Sequence, residues 1–290
     1  MKIKNVSFIG LGVMGYPMAG YLQKNKYNVT VYNRTKSKAE KWTKEYGGNF
    51  SETPGEASKK SEITFICVGR DEDLRDVMEG SNGIIENSKV NSIIVDHTTA
   101  SADIAREYSL ICSKNNNFFL DAPISGGQAG AENGQLSIMV GGDENAFNSV
   151  KSVLQCYGKA INLIGSSGSG QLTKMINQIC IAGLVQGLSE AMTFGKKLNL
   201  DMEKVLSVIS KGAAQSWQME NRYRTMLDGK FNYGFAVDWM RKDLSYCFDE
   251  AKKHNLDLPI TKIVDQYYNE IQINGGNRLD TSSLMTLIDK

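Results

Sequence analysis

The sequence predicts an α/β protein in two parts: a doubly wound, mostly parallel sheet over residues 1–165, then an all-helical half over 166–290. Two observations predict it. Up to about residue 165, short β-branched runs alternate with helix-length segments, the order that builds a parallel sheet covered by helices. After Ile161-Asn162-Leu163-Ile164 the strand signals stop, Gly165-Ser166-Ser167-Gly168-Ser169-Gly170 punctuates the chain, and the remaining residues have helical periodicity.

Six strands are expected: Val6 to Ile9, Val29 to Tyr32, Ile63 to Val68, Ile93 to Asp96, Phe118 to Asp121 and Leu136 to Val140. The later helices are Gln171 to Leu198, Asp201 to Lys211, Val237 to His254 and Ile260 to Ile273, with Asp201 and Asp280 as N-caps. No flexible linker separates the halves, so the helix from 171 to 198 is expected to join them and to set a cleft between two domains.

Composition removes several function classes. Among 290 residues, 33 Lys+Arg balance 32 Asp+Glu, so no global field draws the chain to nucleic acid or acidic lipid. The longest apolar runs fall far short of a membrane span, and the N-terminus lacks the apolar stretch of a secretory signal, so a cytoplasmic location is the expectation. Five cysteines, with no CxxC pair, sit inside apolar or periodic segments and are expected to be reduced and mostly buried. His97 and His254 are far apart and form no metal-binding pattern, so no metal is expected.

Gly10-Leu11-Gly12-Val13-Met14-Gly15 follows the first strand and opens a helix, the Rossmann-type arrangement for a dinucleotide. Gly10 permits the tight turn, Gly12 lets a pyrophosphate approach the backbone, Gly15 lets helix and strand pack closely, and the helix N-terminus attracts the anion. The second strand ends Val31-Tyr32-Asn33-Arg34-Thr35, without the acid that usually holds the ribose hydroxyls of NAD. Asn33 and Thr35 can donate to phosphate oxygens and Arg34 can neutralise a 2′-phosphate, so NADP is favoured over NAD. Lys36 and Lys38 either assist or simply begin a solvated helix.

The opening Gly10-Leu11-Gly12-Val13-Met14-Gly15-Tyr16-Pro17-Met18-Ala19, the segment Asp121-Ala122-Pro123-Ile124-Ser125-Gly126-Gly127 and the stretch Gly168-Ser169-Gly170-Gln171-Leu172-Thr173-Lys174-Met175-Ile176-Asn177 together resemble the β-hydroxyacid dehydrogenases. That family includes 3-hydroxyisobutyrate dehydrogenase, tartronate semialdehyde reductase and the succinic semialdehyde/glyoxylate reductases. Gly229-Lys230-Phe231, Gly234-Phe235 and Lys242-Asp243-Leu244 extend the resemblance over nearly the whole chain.

Such an enzyme holds a carboxylate, aims the carbinol hydrogen at the nicotinamide and moves a proton. Pro123-Ile124-Ser125-Gly126-Gly127 follows a strand and can form a concave anion site, and the resemblance assigns Ser125, Gly126 and Gly127 the substrate carboxylate. A plain chain reversal is the alternative for that segment. Lys174, Asn177 and Gln178 lie at i, i+3 and i+4 on one helix face. The resemblance makes Lys174 the general acid of reduction and base of oxidation, with burial and the oxidised cofactor lowering its pKa. Asn177 would orient the substrate hydroxyl or the ammonium, and Gln178, where some relatives have a second Asn, would touch substrate.

Lys242 resembles the lysine reaching the nicotinamide side of the cofactor, and Thr99, in Asp96-His97-Thr98-Thr99, matches the loop touching the nicotinamide ribose. His97 and Thr98 depart from the usual residues, and His97 is a remote candidate for a second acid-base group. Cys67-Val68-Gly69, at the end of a parallel strand, should pass near the cofactor. Phe231 resembles a substrate-pocket wall, or is ordinary core; Trp217, Tyr233 and Trp239 are read as packing.

The resemblance therefore implies an NAD(P)-dependent enzyme acting on a small carboxylate: hydroxyisobutyrate, tartronate semialdehyde, succinic semialdehyde or glyoxylate. It also implies association into a homodimer or homotetramer through the helical half. A 6-phosphogluconate dehydrogenase is a rival, but Asn177-Gln178 replaces its His-Asn and Ile181 replaces its Glu. Imine reductases usually carry Asp or Tyr in place of Lys174. A cofactor-binding sensor without turnover is the rival from another class.

Overall fold

The computed structural model describes residues 3–289. The chain divides into two compact units, one ending at Lys174 and one beginning at Met175. The first runs β1 (Asn5–Ile9), α1 (Gly15–Lys24), β2 (Asn28–Tyr32), α2 (Lys36–Tyr46), β3 (Asn49–Phe50), α3 (Pro54–Ser58), β4 (Ile63–Ile66), α4 (Asp71–Met78), α5 (Ile84–Asn87), β5 (Ile93–Asp96), α6 (Ala102–Lys114), β6 (Phe118–Asp121), β7 (Ile124–Ser125), α7 (Gly127–Glu132), β8 (Leu136–Gly141), α8 (Glu144–Leu154) and β9 (Gly158–Gly165).

These strands form one sheet in the order β3-β2-β1-β4-β5-β6-β8-β7, with β9 beside β8. Pairing is parallel from β3 through β6, whereas β8 runs antiparallel to β6 and β7. Strand alternation sorts the core onto two faces. The register row Phe8, Phe65, Val95 and Leu120 packs on one side with Trp42 and Met18, while Ile9, Ile66, Ile94 and Phe119 pack on the other with Ile104 and Tyr108. Both faces are covered, which is why β5 reads as an apolar run until Asp96 and β4 is broken only by Thr64, whose hydroxyl accepts from Ser7 at 2.9 Å. Asp96 and Asp121 are register partners at the carboxyl ends of β5 and β6.

Beyond β9 come α9 (Ser169–Lys197), α10 (Met202–Ile209), α11 (Trp217–Leu227), α12 (Val237–Lys253), α13 (Pro259–Ile273) and a closing 3₁₀ turn (Thr281–Leu287). Asp201 caps α10 by accepting from Lys204 N–H at 3.2 Å, and Asp280 caps the 3₁₀ turn by accepting from Ser282 N–H at 3.1 Å. A methionine-rich cluster of Leu188, Met192, Met202, Met219, Met226 and Phe231 fills part of the second unit.

The expected boundary at 165 and the packing boundary at 174 differ by residues 166–174, the turn and the start of α9, whose Gly168 and Gln171 N–H groups are bonded to Asp121 at the end of β6. Three of the nine strands, β3, β7 and β9, are not among the six expected, although β9 contains the run 161–164 at which the strand signals end, and the helix α11 has no counterpart among the expected helices. All five cysteines are free; Cys112 and Cys247 are buried and Cys180 is exposed, against the expectation of general burial. No described helix is long and apolar enough to cross a membrane.

Candidate active site

Three glycines of the first turn answer to different constraints. Gly10 stands at φ +96°, and a Cβ there would lie 2.3 Å from the Cys67 carbonyl. A Cβ on Gly15 would lie 2.0 Å from the Gly10 carbonyl, so α1 sits against its own entry turn only because that residue is glycine. Around Gly12 nothing approaches within 4 Å. The protein's own packing leaves that position open, as it would for a phosphate closing on the backbone. Met14 caps α1 without a side-chain bond, and no acid occupies its first turn. Leu11 is buried and Val13 exposed. The turn thus offers a pyrophosphate open space and a helix N-terminus without a competing acid.

Asn33 ties this turn to the end of β2. Its Oδ1 accepts from Leu11 N–H at 2.9 Å and its Nδ2 donates to the Thr35 carbonyl at 3.1 Å. Much of its amide therefore shapes the loop, whereas Arg34 is exposed and stands 3.3 Å from Asp73. Thr35 begins α2 without a side-chain cap bond, and Lys36 pairs with Glu52.

Beyond β4, Cys67 N–H donates to the Ile9 carbonyl at 2.8 Å and Val68 N–H to Thr98 Oγ1 at 3.1 Å, which holds the 67–69 loop beside the glycine turn. In the loop after β5, Thr98 N–H donates to Asp96 Oδ1 at 2.9 Å. Thr99 beside it is half-buried. Burial, reinforced by the charges of Asp121 and Asp71, pushes the Asp96 carboxyl up to about 7.

His97 is excluded as an acid-base group. It is buried, its Nδ1 lies 2.6 Å from the Ala122 carbonyl and its Nε2 2.9 Å from the Tyr157 hydroxyl. A carbonyl can only accept, so Nδ1 carries the proton and Nε2 accepts from Tyr157. Burial lowers its pKa to about 4, leaving a neutral ring stacked on Phe65.

At β7 the pair Ser125–Ser137 faces across to β8, and the chain then turns through Gly126 at φ +133° and Gly127 at φ +61°. Nothing lies within 4 Å of a Cβ at Gly127, whose surroundings resemble those of Gly12. The segment is thus an open turn presenting its backbone at the start of α7.

Asp121 fixes the start of α9. Its Oδ1 accepts from Gly168 N–H at 2.8 Å and its Oδ2 from Gln171 N–H at 3.0 Å. Burial raises its pKa to about 6, partly offset by these donors. A Cβ on Gly170 would lie 2.4 Å from the Met139 carbonyl, so the helix enters against the sheet backbone only through glycine. Gln171 then clamps the β5 loop: its Oε1 accepts from Ala100 N–H at 3.1 Å and its Nε2 donates to the Thr98 carbonyl at 2.7 Å, bracketing Thr99. One turn on, Lys174 is only 7% exposed.

In the second unit, Asn177 Nδ2 donates to Gln178 Oε1 at 2.8 Å, and Gln178 Nε2 donates to Asp243 Oδ2 at 2.6 Å. Gln178 is buried with both ends of its amide engaged. Lys242 Nζ lies 3.1 Å from Asp243 Oδ1 and stands over the rings of Trp239 and Tyr246. Phe231 is buried in the methionine-rich cluster.

Comparison with known proteins gives two family models along the chain. The family model described as the NAD binding domain of 6-phosphogluconate dehydrogenase matches residues 5–165, and the one described as NAD-binding of NADP-dependent 3-hydroxyisobutyrate dehydrogenase matches residues 168–288. A Shewanella frigidimarina protein named only as an uncharacterized oxidoreductase is 56% identical, covering 98% of both chains. The 2-hydroxy-3-oxopropionate reductase of Escherichia coli is 34% identical, covering 98% of this chain and 97% of its own. The chain belongs to the β-hydroxyacid dehydrogenase family. A crystal structure of 3-hydroxyisobutyrate dehydrogenase from Salmonella typhimurium superposes with a TM-score of 0.87 at 25% identity, covering 98% of this chain and 99% of its own.

As a member of this family, the protein is an NAD(P)-dependent oxidoreductase acting on CH–OH groups, of the 3-hydroxyisobutyrate dehydrogenase type. Three site-supporting residues of this β-hydroxyacid dehydrogenase carry no functional signal in the sequence: Asp121, Gln171 and Asp243. All three lie inside motifs quoted above, but the partners of Asp121 and Gln171 are 47 to 73 residues away. Asp243 pairs with Gln178 across 65 residues. The one available signal is a charged or amide residue inside an otherwise apolar helix face or strand end.

Proposed function

We propose that this β-hydroxyacid dehydrogenase interconverts a small 3-hydroxy acid and its semialdehyde, with Lys174 as general acid and base. The observation that carries this reading is the burial of Lys174 in the second turn of a helix whose start is pinned by Asp121 and Gln171. A side chain that costs free energy to bury is retained there, on an element held rigidly enough to aim it.

The bound nicotinamide supplies or accepts the hydride. Lys174 Nζ gives a proton to the substrate oxygen during reduction and takes it back during oxidation. Asn177, one helical turn further, orients that oxygen or the ammonium by hydrogen bonding. Ser125 and the backbone of Gly126 and Gly127 hold the carboxylate, supported by their open, positive-φ turn. Thr99, held by the Gln171 clamp, would meet the nicotinamide ribose, and Lys242 would serve the nicotinamide side. Cys67, Val68 and Gly69 would contact the cofactor.

NADP is the preferred cofactor on this reading. The end of β2 offers an exposed arginine and no carboxylate of its own, which suits a 2′-phosphate. Association into a dimer or tetramer through the helical unit is supported by large apolar side chains left exposed on α9 and α13, among them Leu184, Phe194, Ile260 and Ile263. Light scattering measures that state directly.

The test is turnover of methylmalonate semialdehyde, tartronate semialdehyde, succinic semialdehyde and glyoxylate with NADPH and NADH, for the wild type and Lys174→Ala. One aldehyde is reduced, and the substitution lowers kcat by about 10²- to 10⁴-fold while cofactor affinity holds. Tight cofactor binding with no turnover of any of the four defeats the reading in favour of a binding protein.

A further inference from the structure

Asp243 is a carboxylate 2% exposed, and Gln178, at 1% exposed, is buried against it. Such burial is costly unless each polar atom has a defined partner. Here the partners form a one-way chain. Lys242 stands beside Asp243 Oδ1, and Asp243 Oδ2 accepts at 2.6 Å from Gln178. A carboxylate can only accept, so Gln178 must turn its Nε2 toward Asp243 and its Oε1 away from it. That oxygen in turn can only accept, so Asn177 must donate with Nδ2, at 2.8 Å. The orientation of the Asn177 amide is thereby decided two residues away, by the charge on Asp243.

We propose that Asp243 and Gln178 are positioning residues that fix the polarity of Asn177, so that its Oδ1 faces away from Gln178 as a hydrogen-bond acceptor. The inference rests on the role of Asn177 given above and deepens it: the Oδ1 of Asn177 receives a proton donor, an ammonium or a hydroxyl. Met240 Sδ, 3.8 Å from Gln178 Nε2, adds a weak acceptor at the same end and reinforces that polarity. An unanchored Asn can present either end of its amide; this chain presents one.

The chain can be reversed, and that is its test. In Asn177→Asp, residue 177 loses its donor and faces the Gln178 oxygen with a carboxylate. In Asp243→Asn, residue 243 can donate or accept, and the direction is no longer imposed. In the double variant the direction flips: residue 243 donates to Gln178 Oε1, Gln178 Nε2 donates to residue 177, and the outer oxygen of residue 177 still accepts. The number of carboxylates in the chain is unchanged.

Two readouts on the full-length protein decide the matter: thermal unfolding without cofactor, and kcat with KM on the aldehyde that the wild type reduces. Each single variant is expected to lower kcat about tenfold or more with cofactor Kd changed less than threefold. The double variant is expected to melt above Asn177→Asp and to exceed the product of the single kcat effects by at least tenfold. Additive effects in both readouts overturn the proposal, as does a double variant that melts below both singles. If the wild type turns over none of the aldehydes, the functional reading fails by itself, and the melting cycle still decides the relay.

Discussion

The first unit contains two glycine-rich turns that lead from strand to helix, Gly10 to Gly15 before α1 and Gly165 to Gly170 before α9, and they are built for opposite purposes. At α1 the helix N-terminus has no side-chain cap and no acid, and the space over Gly12 is open. At α9 the corresponding N–H groups are already taken by the Asp121 carboxylate, and Gly170 is pressed against the backbone of β8. Each helix end presents donors and positive potential to an anion. One is kept for a ligand, and the other is filled by the protein to anchor the helix that carries Lys174. A glycine motif before a helix therefore announces an anion site without saying whose anion it is.

The sharpest way to break this comparison is to exchange the consequences. Asp121→Ala leaves the Gly168 and Gln171 N–H groups buried without an acceptor. Loss of a buried, doubly bonded carboxylate should cost about 3 to 5 kcal/mol of unfolding free energy, measured by urea titration of the cofactor-free protein. Gly12→Ala should change that stability by less than about 0.5 kcal/mol, because its new methyl meets nothing. It should instead weaken cofactor binding by at least about tenfold, since the methyl stands where a phosphate must approach. Equal stability losses in the two variants would erase the distinction.

A smaller effect comes from the acidity of the anchoring row. Asp96 and Asp121 ionise near 7 and 6, above the roughly 3.9 of an unfolded aspartate, chiefly because they are buried. Between about pH 4 and 7 the folded state therefore holds more protons than the unfolded one. Their stabilising contribution is complete below about pH 4 and is lost as pH rises through 6 to 7. His97, held neutral with a pKa near 4, has the opposite slope over part of this window, so the comparison must be made between variants. The stability of the wild type minus that of Asp96→Asn should fall by about 1 to 4 kcal/mol from pH 4.5 to 8. A difference that is flat, or that rises, contradicts the assignment.

What the sequence made legible in these regions was local. The strands β4 and β5 announced themselves as short, mostly apolar runs buried on both faces, β2 and β8 by the alternation of buried and less buried positions, β1 and β6 as short runs buried along most of their length, and the glycine turn because its spacing is fixed by backbone geometry. The helix α11 did not, since only Met219 and Met226 of its eleven residues are buried and, Leu227 apart, its remaining positions are polar or aromatic. The pairing of Asp121 with α9, the Gln171 clamp and the Gln178–Asp243 bond were invisible because each joins segments that only the tertiary fold brings together. Gln178 is the instructive case. Its place on the same helix as Lys174 suggested a substrate contact, but that spacing carries no trace of its bond to Asp243, 65 residues away.

The last and smallest effect sharpens the open end of the comparison. If the α1 turn receives the pyrophosphate, the adjoining end of β2 meets the adenosine ribose, and Asn33 fixes that geometry by bonding both Leu11 N–H and the Thr35 carbonyl. Arg34 projects from this loop with 84% of its side chain exposed and an ion pair to Asp73 that solvent screens heavily. The pair costs little to exchange for a phosphate, whose bidentate contact with a guanidinium is stronger. Arg34→Ala should therefore weaken NADPH binding about tenfold, near 1.4 kcal/mol, while changing NADH binding less than about twofold. The measurement is a fluorescence titration of both cofactors at one ionic strength. An equal loss for NADH and NADPH would mean that Arg34 serves the loop or the adenine face, leaving the 2′-phosphate to Thr35 and the lysines of α2.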